Sequence, residues 1–261
     1  MKLGLPTLID YENIYQHANL CRDCGYDFIE LNLTFPWLQK GKIDIDQLNE
    51  VQKQYGIFYT IHLHDQLDPV NFCEEIRNAG ICNIMQAIKT ASKLGVTNLT
   101  MHLNVGMYSS RKSGKVYLCD MHLDEYLGHV RDFVDTVGPE LSKHGITLCI
   151  ENTTGFVDAQ RRAIELMLEH PNFALTFDIG HSYKSTCGCD EQFILQHQDK
   201  LKHFHIHDVT PSSNHIALGE GVIDLPKYFT IAKDHNCTVV IEVKEGSALV
   251  TSMQYIRTNI K

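Results

Sequence analysis

Residues 146–181 read ITLCIENTTGFVDAQRRAIELMLEHPNFALTFDIGH. A continuous apolar run at 146–151 is followed by apolar residues three or four apart over 159–170, and then by a second apolar run at 173–179. Continuous runs of this kind are typical of strands that are covered on both faces, and the spacing between them is that of an amphipathic helix. The stretch therefore predicts a strand, a helix and a second strand parallel to the first.

The same alternation extends over the rest of the chain. Helical spacing recurs at 84–96 and 123–145, with Gly95 and Gly145 where a helix should end. Eight strands separated by helices, without a linker, favour an α/β fold: a single (β/α)₈ TIM barrel over residues 1–261. A doubly wound open sheet is the alternative, but the first strand is followed by no glycine-rich phosphate fingerprint. The six further predicted strands are 2–5, 27–33, 57–63, 98–103, 203–207 and 238–243.

Composition narrows the classes of function. The chain has 261 residues, 43% of them hydrophobic, and its net charge of −9 disfavours a basic nucleic-acid binder. Its apolar runs are shorter than the roughly 18 residues that span a membrane. Nine cysteines, an odd number, and a start without an apolar signal core predict a cytoplasmic protein. We interpret the pairs Cys21/Cys24 and Cys187/Cys189 as structural, because neither has a second pair at zinc-finger spacing.

Almost every predicted strand ends in a carboxylate or an imidazole. The C-terminal ends of barrel strands converge on one face, so these side chains become neighbours. Buried carboxylates need compensating charge, which a divalent cation supplies directly. The set therefore predicts a metal site, and its mixed oxygen and nitrogen ligands suit Mn²⁺, Co²⁺, Zn²⁺ or Fe²⁺. In chain order the residues are Glu30, His62, His64, His102, Glu151, Asp178, His181, His205, His207, Asp208 and Glu242.

The patterns around the other polar residues predict less specific roles. We expect Glu30 to support the ligands or the fold. The side chains of His64 and His207 face the opposite side from those of His62 and His205 only if their strands stay regular. Residues 104–120 are polar and aperiodic, and should form a loop over the active-site mouth. The histidines of helical and loop stretches are expected at the surface, and they are His17, His122, His129, His144, His170, His197 and His235.

Several motifs together resemble a known family along the whole chain. It is the xylose-isomerase-like TIM-barrel superfamily, which includes sugar isomerases and epimerases and the endonuclease IV-type AP endonucleases. For the epimerase branch, the resemblance implies one divalent cation (Mn, Co or Zn) held by Glu151, Asp178, His205 and Glu242. The motifs are IENTTG (150–155), FDIGH (177–181), HIHD (205–208), HIALGEGVID (215–224) and IEVK (241–244).

For the endonuclease branch, the resemblance implies two or three zinc ions. The second zinc would use His62 and His102 together with Glu151. The third would use His181, His215 and an aspartate at the position where this chain has Ser213. A serine is a poor replacement for an anionic ligand, so a complete three-zinc site is disfavoured.

The resemblance favours a metal-dependent isomerase or epimerase acting on a small keto-sugar. In this hypothesis the metal stabilises an enediolate, while Glu151 and Glu242 remove and return the carbon-bound proton. His181 and His207 would bind substrate hydroxyls, and the lack of an Arg/Gly phosphate cluster favours an unphosphorylated sugar. A zinc-dependent AP endonuclease and a catalytically silent barrel are the alternatives. The expected partner is a carbohydrate rather than nucleic acid or membrane, and the sequence is compatible with a homo-oligomer.

Overall fold

Eight parallel strands close into a barrel in the computed structural model, which describes residues 1–112, 114–153, 155–185 and 189–260. The order around the barrel follows the chain, and β10 pairs with β1 to close it. The predicted (β/α)₈ barrel is confirmed, with strand ends within two residues of the predicted ones. The strands are β1 (Lys2–Pro6), β2 (Phe28–Asn32), β3 (Phe58–His62), β4 (Asn98–His102), β5 (Tyr108–Arg111), β6 (Gly114–Tyr117), β7 (Thr147–Glu151), β8 (Phe173–Asp178), β9 (Leu201–Ile206) and β10 (Thr238–Ile241).

Helices follow the barrel strands along the chain. Short 3₁₀ turns lie at Pro36–Leu38 and Gln198–Lys200. No helix within the described residues is both long and apolar enough to cross a membrane. The α-helices are α1 (Ile14–Cys24), α2 (Ile45–Tyr55), α3 (Glu74–Leu94), α4 (Leu118–Met121), α5 (Leu123–His144), α6 (Asp158–Leu168), α7 (Ile179–Lys184), α8 (Cys189–Gln196), α9 (Leu225–Asp234) and α10 (Gly246–Asn259).

Two helices end at glycine as predicted, but helix α3 is longer than the helical spacing in the sequence predicts. Gly95 and Gly145 end α3 and α5 in the left-handed conformation, with φ of 67° and 63°. Helix α3 begins ten residues before the predicted start at 84. Its first part contains Gly80, where an added Cβ would lie 3.1 Å from the backbone of Asp68. A loop therefore packs on this turn, and the small residue it requires interrupts the apolar spacing.

The segment predicted as a loop over the mouth contains a β-hairpin. Strands β5 and β6 pair antiparallel, with Tyr108 opposite Tyr117 and their ring centroids 5.6 Å apart. The Nζ atom of Lys115 lies 4.2 Å from the ring centroid of Tyr108. Both strands are largely exposed, so neither has the apolar alternation by which a half-buried strand is recognised. The expectation of an aperiodic loop was wrong for these eight residues.

The histidine His17 was expected at the surface and is fully buried. Its Nε2 accepts a hydrogen bond from the backbone N–H of Leu8, and its Nδ1 lies 2.9 Å from the carbonyl oxygen of Asn13. Burial lowers the pKa of His17. The imidazole therefore joins the loop after β1 to helix α1, and the surface prediction was wrong for this residue. The other six histidines in this group are half-buried or exposed.

The pair Cys21 and Cys24 has the properties of buried structural thiols. Cys21 and Cys24 are buried free thiols on α1, and burial raises the pKa of Cys21 to about 12. A thiol of such low acidity is a poor metal ligand, which agrees with a structural role. Cys187 lies outside the described residues.

Candidate metal centre

Three carboxylates and one imidazole converge at the mouth of the barrel. Glu151 and Asp178 are the last residues of β7 and β8, His205 lies near the end of β9, and Glu242 directly follows β10. Each contributes one ligand atom, and these four atoms lie within 4.8 Å of one another. The structure thus brings together the four residues predicted to hold a single cation.

The donor atoms of this group fit a divalent cation. Asp178 Oδ2 and Glu242 Oε2 are buried without an aligned hydrogen-bond partner in the described part of the chain. Unpaired buried polar atoms are costly, and carboxylates packed together repel one another. A divalent cation among oxygen and nitrogen ligands would relieve both costs, and this mixed set suits Mn²⁺, Co²⁺, Zn²⁺ or Fe²⁺.

Protonated imidazoles supply the compensating charge in the metal-free chain. Burial alone would raise the pKa of Glu151, but His205 and His102 hold it well below its ordinary value. Burial likewise opposes ionisation of Glu242, whose pKa is held low by His205 and Lys244. The pKa of His205 is raised well above its ordinary value, against the effect of burial, by Glu151 and Glu30. The positive charge of protonated His205 therefore supplies part of the compensation that a bound cation would supply.

We expect cation binding to release this proton. A ligand nitrogen must be deprotonated, and His205 keeps its proton above pH 6.5, so the apparent affinity for Mn²⁺ should rise with pH beyond that point. For one released proton the rise is about tenfold per pH unit until the raised pKa is reached. Calorimetric titration with MnCl₂ at several pH values, in buffers of different ionisation enthalpy, measures both quantities. An affinity that is constant above pH 6.5 would contradict this expectation, and His235→Gln serves as the control.

A second group surrounds the other oxygen of Glu151. The Nε2 atoms of His62 and His102 lie 3.1 and 3.3 Å from Glu151 Oε2. His62 Nδ1 lies 2.7 Å from the carbonyl oxygen of Leu63, which leaves Nε2 to face the carboxylate. Despite burial, Glu151 raises the pKa of His62 to about 9. The structure therefore places both residues predicted for a second metal at Glu151, and Asp65, which the sequence did not single out, forms a close group with them.

A third group contains His181, His207 and His215, whose ring nitrogens lie within 4.8 Å of one another. His207 is fully buried: its Nδ1 accepts a hydrogen bond from the backbone N–H of His215, and its Nε2 lies 3.2 Å from Asp178 Oδ1. In the metal-free chain the ring is in contact with Asp178, and the predicted contact of His207 with a substrate hydroxyl stays a prediction. An added Cβ on Gly180 would lie 1.9 Å from the His207 ring, which explains the glycine of FDIGH.

The other two histidines of this group remain near the opening. His181 Nδ1 lies 3.2 Å from Asp178 Oδ2, and the side chain is 20% exposed. His215 Nδ1 lies 2.9 Å from the carbonyl oxygen of Glu242, and burial lowers the pKa of His215 to about 4. Ser213 is exposed and donates its backbone N–H to Thr210 in a turn. A neutral hydroxyl thus stands at the position where the resemblance to the endonuclease branch implies an aspartate.

The side chain of His64 points away from the four converging residues. It lines an outer groove between the loop after β2 and helix α3, together with Lys40 and Lys93. Its Nδ1 accepts a hydrogen bond from the backbone N–H of Gln66. His64 therefore does not belong to the metal centre.

Two polar residues stabilise the site in ways the sequence did not predict. Asn152 exchanges hydrogen bonds of 2.8 and 2.9 Å with the backbone of Asp178, which holds the ends of β7 and β8 together. Asp208, expected near the metal, instead accepts four backbone hydrogen bonds, from Val209, Gly219, Gly221 and Ile223. The loop that carries His215 is thus folded around the Asp208 carboxylate.

We expect Asp208→Asn to loosen this loop. An amide has one acceptor oxygen, so two backbone N–H groups would face an NH₂ group, and the free energy of unfolding should fall by about 2 kcal/mol. Hydrogen exchange over residues 209–224 should become faster than in the unaltered protein. The matched control is Asp234→Asn, at an exposed aspartate at the end of α9. Equal protection in the two variants would contradict this role.

Two cavities flank the four converging residues. One, of about 270 Å³, is lined by Thr7, Glu30, Asn32, His62, Glu242 and Lys244, among others. The other, of about 570 Å³, is lined in part by His102, Asn104, Thr153, His181 and Asn214. The centre is therefore adjacent to space for a small molecule.

Residues 18–259 match the family model described as the xylose isomerase-like TIM barrel. The chain belongs to this family. The predicted membership is confirmed, and it rests on almost the entire chain. Among curated sequences, this xylose isomerase-like barrel is similar to an uncharacterized protein of Methanocaldococcus jannaschii, with 23% identity over 244 residues, 90% of this chain and 85% of that protein.

Several solved structures share the fold of this xylose isomerase-like barrel. A D-tagatose 3-epimerase-like protein has a TM-score of 0.79 and 20% identity, covering 99% of this chain and 96% of that one. The 3-keto-D-glucoside 4-epimerase of E. coli has a TM-score of 0.77 and 20% identity, covering 99% of both chains. The IOLI protein, solved with a bound zinc atom, has a TM-score of 0.71 and 19% identity, covering 99% of this chain and 95% of that one.

Proposed function

We propose that this protein is a divalent-metal-dependent isomerase or epimerase acting on a small keto-sugar by proton transfer. The observation that carries the proposal is the convergence of Glu151, Asp178, His205 and Glu242 beside two cavities. Support also comes from the sugar epimerases among the proteins of the same fold, including a D-allulose 3-epimerase solved with D-allulose. The zinc atom of the IOLI structure supports a metal in a barrel of this family.

The four converging residues would hold the cation, with three carboxylates and one imidazole as ligands. A divalent cation held there supplies a Lewis acid that polarises a substrate carbonyl and stabilises the negative charge that develops when a neighbouring carbon loses its proton. The remaining steps belong to side chains of this protein.

Glu242 and Glu151 are the proposed proton-transfer residues. The Glu242 side chain is 17% exposed and lines the smaller cavity, whereas that of Glu151 is 1% exposed. Glu242 Oε1 accepts a hydrogen bond from Lys244 at 3.0 Å, and its Oε2 lies 3.6 Å from His205 Nδ1. Both carboxylates have lowered pKa values and are therefore ionised at neutral pH, as a general base must be. One removes the carbon-bound proton and later releases it to solvent, while the other takes up a proton from solvent and delivers it to the carbon, so that the net charge is restored.

His181 is the proposed hydroxyl-binding residue. It is partly exposed and lines the larger cavity next to Asp178. A hydrogen bond from this imidazole would orient a sugar hydroxyl against the proton-transfer residues, and such positioning lowers the entropic barrier of the reaction. Among the described residues that line the larger cavity, the one lysine, Lys184, is bound to the carbonyl oxygens of Thr210 and Pro211 and is not free to bind a phosphate group. This supports an unphosphorylated substrate.

Deuterium exchange in D₂O tests the proposed chemistry. Unphosphorylated and phosphorylated ketoses are incubated with the Mn²⁺-, Co²⁺- or Zn²⁺-loaded protein, and products are analysed by NMR. We expect interconversion of an unphosphorylated ketose with deuterium entering at the reacting carbon. Conversion without any deuterium uptake would contradict proton transfer and indicate a hydride shift instead.

A second candidate function is a zinc-dependent AP endonuclease. The specific observation in its favour is that His62 and His102 meet at Glu151 Oε2, as a second metal bridged by that carboxylate would require. Ser213 and the net charge of −9 count against it. Metal analysis distinguishes the two functions: one equivalent with ketose conversion supports the isomerase, whereas two or three zinc ions with cleavage of an abasic duplex support the endonuclease.

A further inference from the structure

A buried carboxylate lies inside the barrel on the far side of His205. Glu30 belongs to β2 and is 3% exposed. Its Oε2 lies 2.9 Å from His205 Nε2, while its Oε1 lies 3.1 Å from His203 Nε2 and accepts a hydrogen bond from Thr60 at 3.1 Å. Strands β2 and β9 are separated in the barrel by β1 and β10, so the contacts with the two histidines cross the interior.

The hydrogen-bond network around Glu30 extends through His203 to strand β10. His203 Nδ1 lies 2.6 Å from Thr238 Oγ1 at the start of β10. The pKa of Glu30 is lowered by His205 and His203, although burial alone would raise it. A charged carboxylate in this position is costly to bury, and the imidazoles on both sides compensate it. Glu30 is thus fixed in direction by direct contacts with β3 and β9, and through His203 by β10.

The His205 ring lies between two carboxylates. Its Nδ1 is hydrogen-bonded to Glu151 Oε1 at 3.0 Å and lies 3.6 Å from Glu242 Oε2, on the side of the four converging residues. Its Nε2 faces Glu30 in ion-pair contact, without the alignment of a linear hydrogen bond. Both ring nitrogens face a carboxylate, but Nδ1 is the one on the side of the four converging residues. A carboxylate outside the ligand group, at Nε2, favours the proton at that nitrogen and leaves Nδ1 as a metal ligand.

We propose that Glu30 is a positioning residue that orients His205 and keeps the proton on Nε2, so that Nδ1 is the ligand nitrogen. The proposal rests on the metal group of the proposed function. Glu30 itself is neither a ligand nor a proton-transfer residue. Outer carboxylates of this kind commonly contribute a factor of about 10 to 100 in metal affinity.

The test compares Mn²⁺ dissociation constants of the full-length protein and two variants, measured by calorimetric titration at one pH. Glu30→Gln removes the charge at nearly constant shape, and Glu30→Asp keeps the charge but withdraws it by one methylene. We expect both to bind Mn²⁺ about 10 to 100 times more weakly. Thr60→Val is the matched control, because it removes one hydrogen bond to Glu30 and leaves the contact with His205; we expect a change of less than about threefold.

Two further readings keep the result interpretable. Visible absorption of the Co²⁺-loaded protein should change in both Glu30 variants and remain unchanged in Thr60→Val. Urea unfolding of the metal-free variants gives the fraction of each variant that is folded. The Kd is then calculated for the folded protein alone, so that a loss of stability is not mistaken for a loss of affinity. Wild-type affinity and an unchanged Co²⁺ spectrum in either folded Glu30 variant would overturn this proposal while leaving the proposed function intact. Failure of the unaltered protein to bind a divalent cation would instead overturn the proposed function.

Discussion

Glu151→Gln is expected to abolish stoichiometric binding of Mn²⁺ and to lower ketose turnover by about three orders of magnitude. The Glu151 carboxylate is in contact with His205 through Oε1 and with His62 and His102 through Oε2. An amide at this position removes one negative charge from the proposed ligand set and places an NH₂ group against an imidazole. Metal analysis after dialysis and steady-state kinetics measure the two effects.

The control for this variant is Glu169→Gln, at an exposed glutamate beyond the end of α6. It should retain one equivalent of metal and full turnover. If Glu151→Gln also retained one equivalent of Mn²⁺ at unaltered affinity, Glu151 would not be a ligand, and the proposed metal group would have to be revised.

Glu242→Gln is expected to lower turnover by a factor of about 10² to 10⁴, because the residue is the more exposed of the two proposed proton-transfer groups. Deuterium uptake from D₂O at the reacting carbon should fall by the same factor. Because Glu242 is also a proposed ligand, the rates are compared at Mn²⁺ concentrations that saturate each protein. Proton transfer is thereby measured separately from metal affinity.

Glu245→Gln is the matched control, three residues farther along the chain at an exposed position. It should exchange deuterium at the unaltered rate. Equal exchange rates in Glu242→Gln and Glu245→Gln would exclude Glu242 from proton transfer.

The barrel and its converging polar residues could be predicted because the signals are local. Glu151 and Asp178 each end a continuous apolar run, and a run of this kind predicts a buried parallel strand without knowledge of its neighbours. Once the strands are parallel and closed, their carboxyl ends must share one face. The position of the candidate site therefore followed from the strand pattern together with the residues at the strand ends.

The residues around the ligands could not be assigned in this way, because their roles depend on distant partners. His203 meets Glu30 from 173 positions away in the sequence, and Asn152 meets the backbone of Asp178 from 26 positions away. Asp208 lies beside His207 in a motif of apparent metal ligands, yet its oxygens are used by backbone N–H groups of the following loop. A carboxylate in the sequence does not reveal which of these partners it will have.

The errors at the periphery have a similar physical origin. His17 lies on an amphipathic helix, and only the loop after β1 supplies the Leu8 N–H that allows its imidazole to be buried. The strands at 108–111 and 114–117 are stabilised by pairing with each other, and this contact between two short exposed strands leaves no hydrophobic alternation in the sequence. In both cases tertiary or cross-strand contacts determine the structure, and the apolar pattern does not predict these contacts.

Anomalous diffraction from crystals grown with MnCl₂ tests the metal centre most directly. The proposed function predicts one manganese peak within ligand distance of Glu151, Asp178, His205 Nδ1 and Glu242, and loss of that peak in Asp178→Asn. Crystals of the unaltered protein with no manganese at these four residues, or with manganese bound only at His62 and His102, would contradict it.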